Sequence, residues 1–171
     1  MPYTTPAAYI QRFGLTEAVQ LLADEQQLLT ASLLQDAMAG TWSGSPSQAE
    51  QAAATDALAR MQRQIDVASA YIDGYLRAVA TLPLPESSAQ AGTLAECCLA
   101  LTRFDLADDT DNATDRIDAA AQTWRAWLRD VSMGKVLLVA TDGSAASTPG
   151  TVRTGQAASA YNWALFGGVQ P

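Results

Sequence analysis

The sequence predicts an all-α fold: a small helical bundle with one long helix, followed by a short β-strand and an extended C-terminal arm. Three observations support this prediction. Apolar residues recur at intervals of three and four between about residues 48 and 80, which is the helical period. Of the 171 residues, 49% are hydrophobic and only 16% charged, enough for one folded core. The last thirty or so residues are mostly small, polar and glycine-rich. We therefore divide the chain into a helical domain over 1–134 and a strand with an arm over 135–171.

Two short helices are predicted at the N-terminus. Thr5 can cap the first, Pro6 suits its first turn, and Gly14 ends it. Thr16 is expected to cap the second, with Glu17 in its first turn, where the helix dipole favours an acid. The apolar residues expected to face inward are Tyr9, Ile10, Phe13, Val19, Leu21 and Leu22.

A less regular stretch over 27–50 leads to the long helix. Five apolar residues in it could form a third short helix: Leu28, Leu29, Leu33, Leu34 and Met38. The GTWSGSP segment at 40–46 is a break. The long helix then carries the apolar stripe Leu58, Met61, Ile65, Ala68, Ile72, Leu76 and Val79. Because glycine destabilises a helix interior, Gly74 predicts a close helix crossing or a bend. The LPLP run at 82–85 is expected to end this helix.

Two further helices complete the predicted bundle. Ser87 or Ser88 can cap the first of them, whose apolar residues are Ala91, Leu94, Cys98, Leu101 and Phe104 or Leu106. Asn112 or Thr114 can cap the last helix, and Gly134 suits its C-terminal end. The apolar stripe of the last helix is Ile117, Ala121, Trp124, Trp127, Leu128 and Val131.

The segment after the bundle differs in character. KVLLVA at 135–140 has the aliphatic and β-branched content of a short strand, formed mainly by Val136, Leu137, Leu138 and Val139. The arm that follows is small and polar until Tyr161, Trp163 and Phe166, which could serve as an aromatic anchor. Its 31 residues over 141–171 could extend about 100 Å at about 3.3 Å each.

Composition excludes several classes of chemistry. The sequence contains no histidine, so Ser-His-Asp triads, Cys-His dyads and HExxH metal sites are excluded. Cys97 and Cys98 are adjacent, which suits neither a disulfide framework nor a zinc knuckle, and we expect buried thiols in a reducing cytoplasm. No apolar run is long enough to span a membrane, and the first five residues lack the basic and apolar regions of a signal peptide. We expect a soluble protein.

The charge balance argues against nucleic-acid binding. Eighteen acidic residues against ten basic ones give a net charge of −8, and Lys135 is the single lysine. A protein that binds DNA gains affinity by replacing counterions on phosphate with Lys and Arg. An acidic surface would instead repel DNA.

The acidic residues suggest two weaker alternatives. Asp105, Asp108, Asp109, Asp111 and Asp115 resemble a calcium loop, but an EF-hand starting at Asp109 would need glycine and glutamate where Thr114 and Ala120 stand. Paired carboxylates could perform acid/base catalysis without histidine, and the candidates are Glu17, Asp24, Glu25 and Asp73. Their spacing does not place two of them across a cleft. We therefore expect no enzyme activity, no metal and no cofactor.

Five strings occur in one order along residues 3–138, and together they resemble a known family. They are YTTPAAYIQRFG from Tyr3, IDGYL at 72–76, LPLP at 82–85, ALTRFDL at 100–106 and WLRDVSMGKVLL at 127–138. The chain is similar in these strings to the phage Mu-type neck proteins, which are related in architecture to helical head-to-tail connectors. The stretch over 27–50 looks longer than in that family, and the tail after Ala140 carries no motif of it.

The resemblance implies a structural virion protein. Connectors of this kind form a ring, usually of twelve copies, beneath the portal of a tailed phage. Such an adaptor continues the DNA channel and docks the tail or a stopper protein. The DNA would pass without specific binding, and no membrane is involved. The resemblance places the protein in the neck of the virion, and in the host cytoplasm during assembly.

Two groups of residues are candidates for partner binding. Trp124, Arg125, Trp127 and Arg129 lie on one helix and are residue types favoured at interfaces, although the tryptophans could equally pack in the core. The strand residues 136–139 and the aromatic residues Tyr161, Trp163 and Phe166 could add to a neighbouring sheet and fill pockets on the portal or an adjacent subunit. Two alternative functions remain: a tail-side completion or terminator protein, and a free helical regulatory or ligand-binding module.

Overall fold

The computed structural model describes residues 1–23, 26–84, 90–107, 114–136 and 138. Within these residues the protein is all-helical, as predicted, and six helices follow one another along the chain. They are α1 (Pro6–Phe13), α2 (Leu15–Leu22), α3 (Ala31–Ala39), α4 (Gln48–Leu76), α5 (Ala91–Leu106) and α6 (Asp115–Ser132).

The first helices begin and end at cap residues. The Thr5 hydroxyl accepts a hydrogen bond from the N–H of Ala8, and Pro6 follows at the first helical position, as predicted. Gly14 has a φ of +91° and donates to the carbonyl of Ile10, which ends α1. Because α2 begins directly at Leu15, Gly14 also occupies its N-cap position. The predicted cap at Thr16 is therefore wrong.

The third short helix and the break after it are confirmed. Thr30 caps α3 through a hydrogen bond from the N–H of Leu33, and Gly40 ends it in the left-handed conformation with a φ of +69°. Leu28 and Leu29 precede the helix instead of belonging to it. Asp36 stabilises the following loop, because its carboxylate accepts hydrogen bonds from both the N–H and the hydroxyl of Ser43.

Helix α4 is the centre of the bundle. It has 29 residues, about 44 Å at 1.5 Å per residue, and a capping box of Ser47 and Glu50 opens it. It packs against α5, α3 and α6, and to a smaller extent against α1 and α2. The residues that it buries follow the predicted period: Ala54, Ala57, Met61, Ile65, Ala68, Ser69, Ile72 and Leu76. The helix ends at Leu76, ahead of LPLP, and the Leu82–Pro83 bond is cis.

The close helix crossing predicted at Gly74 is not found among the described residues, and the alternative of a bend stays a prediction. Gly74 is exposed, and a Cβ added there would meet nothing within 4 Å. No other helix of the described residues crosses α4 at this point, so a close crossing within the chain does not explain the glycine.

The last two helices complete the core. Gln90 precedes α5 at its N-cap position, whereas Ser87 and Ser88 lie outside the described residues. Thr114 caps α6, and Gly134 follows its end with a φ of +73° and donates to the carbonyl of Val131. Both helices bury most of their predicted apolar residues, among them Leu94, Cys98 and Leu128, which are fully enclosed. The predicted residues that are only half-buried are Ala91, Phe104, Trp124 and Trp127.

The short strand predicted at 135–140 is not found among the residues described there. The N–H groups of Lys135 and Val136 both donate to the carbonyl of Asp130, so they close the end of α6 and are not free for a sheet. Val136 is half-buried against the core and Leu138 is 7% exposed. Leu137, Val139 and the arm over 140–171 lie outside the described residues.

Candidate interaction surface

Helix α6 presents four of the predicted partner-binding residues. Trp124 and Trp127 are both half-buried, and their rings meet edge to face with centroids 5.6 Å apart. This geometry is favourable for aromatic pairs. Both rings pack against the core and therefore stabilise the fold of the subunit. The rest of each ring remains accessible to solvent.

Arg125 and Arg129 lie on another side of α6. The guanidinium of Arg125 stacks over the ring of Phe104 in α5, 4.5 Å from its centroid. Arg129 is exposed in the last turn of α6, where the helix dipole favours a positive charge. Neither arginine forms an ion pair with another described residue.

Two tyrosines of α4 adjoin these arginines. The hydroxyl groups of Tyr71 and Tyr75 are 3.1 Å apart, and their rings meet edge to face with centroids 5.1 Å apart. The hydrogen bond to Tyr75 and partial burial raise the pKa of Tyr71, while the positive charges of Arg125 and Arg129 act in the opposite direction. Tyr71 is 40% exposed, so a large part of its ring faces solvent.

We call Tyr71, Tyr75, Phe104, Arg125 and Arg129 together the α4–α6 face. Tyrosine and arginine are enriched at protein interfaces, where they combine large contact area with directed hydrogen bonds. Sequence reasoning found the two arginines but did not select the tyrosines as binding residues. The available signal was their spacing of four, which aligns them on one side of a helix whose other side carries the apolar stripe.

The comparisons with known proteins give the family. The model of the family described as "Bacteriophage Mu, Gp36" matches residues 3–155, most of the 171-residue chain. The chain belongs to this family. No curated protein matches it. Membership makes it a phage structural or morphogenesis protein, present in the virion or in the infected host cell.

The Gp36 family match extends beyond the strings that carry the resemblance. All of the α4–α6 face lies inside it, and so does part of the arm, up to residue 155. Tyr161, Trp163 and Phe166 lie beyond the match and also outside the described residues. Of the predicted strand residues, the described Val136 and Leu138 pack on the core of their own chain.

Two of the four carboxylates that sequence analysis considered for catalysis have structural partners. Glu17 binds Arg103 of α5, and Asp73 accepts a hydrogen bond of 2.6 Å from the hydroxyl of Tyr3. Asp24 and Glu25 lie outside the described residues, as do Asp108, Asp109 and Asp111 of the acidic run. Across the described part of the chain, no three Asp, Glu, His or Cys side chains are grouped so that they could hold a metal ion.

The two cysteines are buried thiols, as predicted. Both are fully enclosed, and burial raises the pKa of Cys97 to about 12, with a smaller contribution from Cys98. The Cys98 sulfur lies 3.4 Å from the Ser69 hydroxyl. A thiol with a raised pKa is a poor nucleophile at neutral pH. Among the described helices, none is long and apolar enough to cross a membrane.

Proposed function

We propose that this Gp36-family chain is a head-to-tail connector: an adaptor that forms a ring, of twelve copies, beneath the portal in the neck of the virion. It assembles in the host cytoplasm, continues the DNA channel of the portal and docks the tail or a stopper protein. Its role is assembly, without catalysis or a cofactor. The family match over residues 3–155, combined with the open α4–α6 face, carries the proposal.

A subunit of a closed ring must keep its shape when neighbours press on its sides. Two of the long-range polar contacts among the described residues support such a shape. Arg103 of α5 binds Glu17 of α2 through two hydrogen bonds of 2.6 and 2.7 Å. The Tyr3 hydroxyl binds Asp73 of α4, and the Tyr3 N–H binds Ser69 one turn earlier. The first contact connects α5 to α2, and the second connects the N-terminal segment to α4.

Ring closure requires one side of each subunit to fit the opposite side of the next. The α4–α6 face is our candidate for one of these sides, because Tyr71 and Arg129 are exposed and Tyr75 and Arg125 are only half-buried. On an acidic chain, the guanidinium groups of Arg125 and Arg129 are suited to carboxylates of a neighbour. Asp115, exposed in the first turn of α6, belongs to this class of group.

The charge of the chain supports passage of DNA without retention. A ring of twelve chains with a net charge of −8 each has too few cations to bind the phosphate backbone tightly. Carboxylates that line a channel would repel DNA and leave it free to move.

Complementation of a phage that lacks this gene tests the proposal. We expect the wild-type chain to restore tailed particles, and the gene-deleted phage to accumulate DNA-containing heads and free tails. Reconstruction of the virion should show the chain as a ring between portal and tail. Density elsewhere would contradict the proposal, and copurification with tails that lack heads would indicate a tail-side completion protein instead.

A pair of charge variants tests the face itself. Tyr71→Glu adds one negative charge within the α4–α6 face, and Thr55→Glu adds one at an exposed position of the same helix, four turns away. Both chains should fold, as judged by circular dichroism. We expect Tyr71→Glu to reduce the yield of tailed particles at least tenfold and Thr55→Glu to leave it unchanged. Equal yields would exclude this face from assembly.

A further inference from the structure

A groove lies beside the C-terminal end of α4, next to the first residues of the chain. It has a volume of about 900 Å³ and lies between the first three residues, the end of α4, residues 82–84 and the start of α5. The apolar wall consists of Leu82, Pro83, Leu84, Ala91 and Leu94. Only Leu94 of these is fully buried, so the others present apolar surface to the groove. A space of this size accommodates several side chains of a peptide.

The rim of the groove is polar and defines what it can bind. Asp73 accepts from the Tyr3 hydroxyl through one oxygen, Oδ1, and its other oxygen has no hydrogen bond from a described residue. Arg77 stands one turn further along and, within the described residues, pairs with no acid. The rim therefore offers one acceptor for an N–H or O–H group and one guanidinium that can stack on an aromatic ring. The groove is suited to an uncharged peptide that is rich in aromatic residues.

The chain itself contains such a peptide. Residues 161–166 read YNWALF: two aromatic rings with donor groups, a third ring, and a leucine. No charged side chain occurs after Arg153, although the chain as a whole is strongly acidic. An uncharged segment enters an apolar groove without the desolvation cost that a carboxylate or ammonium group would bring.

The length of the intervening chain makes the groove accessible to this segment. Twenty-two residues separate Leu138, the last described residue, from Tyr161, and they span up to about 70 Å at about 3.3 Å each. The longest helix, α4, measures about 44 Å. A segment tethered to its own subunit also has a much higher effective concentration near the groove than a segment of another free subunit.

We propose that residues 161–166 occupy this groove of their own chain in the free subunit. The aromatic residues of this segment are then held against α4 and α5 until the subunit assembles. This inference concerns the unassembled protein and does not depend on the proposed place in the virion, so each can fail without the other.

Disulfide trapping in the full-length chain tests the inference. One variant combines Ala164→Cys in the segment with Ala91→Cys in the groove wall. The control combines Ala164→Cys with Ala52→Cys, an exposed position in the first half of α4. Both partner sites are alanines on helices within reach of the segment, and Ala52 is the more exposed. The native thiols Cys97 and Cys98 are buried, which leaves the introduced pair to react. The reagent is copper phenanthroline, and mass spectrometry identifies the crosslink.

We expect the groove pair to crosslink at least tenfold faster than the control, at a rate independent of protein concentration. Adding Trp163→Ser and Phe166→Ser should abolish the difference, since the rings would no longer hold the segment in place. Equal rates for the two pairs, or no effect of removing the rings, would overturn the proposal. Crosslinked dimers in place of monomers would overturn it too, because the occupant would then come from a second copy.

Discussion

Arg103 and Glu17 form a two-bond ion pair that connects α5 to α2. Nε of Arg103 lies 2.6 Å from one carboxylate oxygen of Glu17, and Nη2 lies 2.7 Å from the other. The same guanidinium stacks over the ring of Phe13, 4.6 Å from its centroid, and so reaches α1 as well. The side chains of Arg103 and Glu17 are only 24% and 27% exposed, which limits screening by water and salt. One arginine thus joins three helices.

The first prediction concerns this pair. Glu17→Gln and Arg103→Met should each lower the free energy of unfolding by about 1 to 3 kcal/mol, because each leaves a partly buried charged group without its partner. A double-mutant cycle, measured by urea unfolding, should give a coupling energy above about 1 kcal/mol.

The exposed pair Arg12–Glu96 is the matched control for that cycle. It has one contact of 3.0 Å, and its side chains are 55% and 49% exposed. Exposed ion pairs contribute about 0 to 1 kcal/mol. If the cycle on Arg12 and Glu96 gave as much coupling as the cycle on Arg103 and Glu17, burial and the two-bond geometry would not be the source of the stability.

The second prediction concerns Tyr9, which is completely buried in α1. Its hydroxyl has no hydrogen-bond partner among the described residues. Removing a buried polar group that lacks a partner relieves its desolvation cost. Tyr9→Phe should therefore keep the fold and leave the free energy of unfolding unchanged or raise it by up to about 1 kcal/mol. Thermal unfolding checks this, and a loss of more than about 1 kcal/mol would show that the hydroxyl is bound.

Much of the fold could be predicted from sequence because the decisive signals are local. The three-and-four spacing from Met61 to Leu76 predicted α4, and the Thr5–Pro6 pair predicted the start of α1. The errors arose where a long-range or competing interaction determines the local structure. The aliphatic run after Gly134 favoured a strand, but in the structure its N–H groups bind the end of α6 and its apolar side chains cover the core.

The candidate surface was only half predictable, for a physical reason. Trp124, Trp127, Arg125 and Arg129 stand out as residue types within one helix. Whether a tyrosine of another helix lies beside them depends on how α4 packs on α6, which no local pattern specifies. The groove depends in the same way on the path of the chain between α4 and α5 and on the N-terminal residues that Asp73 holds in place.

The third prediction concerns alkaline pH. Burial raises the pKa of Cys97 from 9.0 to about 12, and also raises the pKa of Tyr3 and Tyr9 above their usual value. A group whose pKa is higher in the folded state contributes full stability below its unfolded pKa and loses it as the pH rises toward the folded value. The free energy of unfolding should therefore fall steadily between about pH 9 and pH 12.

Cys97→Ala separates the contribution of this thiol to the loss of stability at alkaline pH from the contributions of Tyr3 and Tyr9. The variant should be less stable at pH 7, since a buried atom is lost, yet its stability should fall less steeply above pH 9. Urea unfolding in a reducing buffer at pH 7.5, 9 and 10.5 measures both effects. Parallel slopes for the variant and the wild type would show that Cys97 does not remain protonated in the folded chain.

The fourth prediction concerns Gly74, whose place in α4 the single chain does not explain. A Cβ there would meet nothing within 4 Å, and glycine destabilises a helix interior by about 0.5 to 1 kcal/mol relative to alanine. Gly74→Ala should stabilise the isolated chain by about that amount, and Ala52→Gly, at an exposed position of the same helix, should have the opposite effect. Thermal unfolding measures both. A loss of stability in Gly74→Ala would mean that the sequence-based expectation of a close crossing was correct after all.

A larger side chain at Gly74 tests assembly separately from folding of the subunit. Gly74 lies one turn from Tyr71 and Ala78, so a neighbouring subunit packed on this part of α4 could approach the backbone closely there. Gly74→Leu should then fold as well as the wild type but fail to restore tailed particles, because the larger side chain would occupy the space of the neighbour. Tailed particles at the wild-type yield from Gly74→Leu would show that no subunit makes a close contact with Gly74.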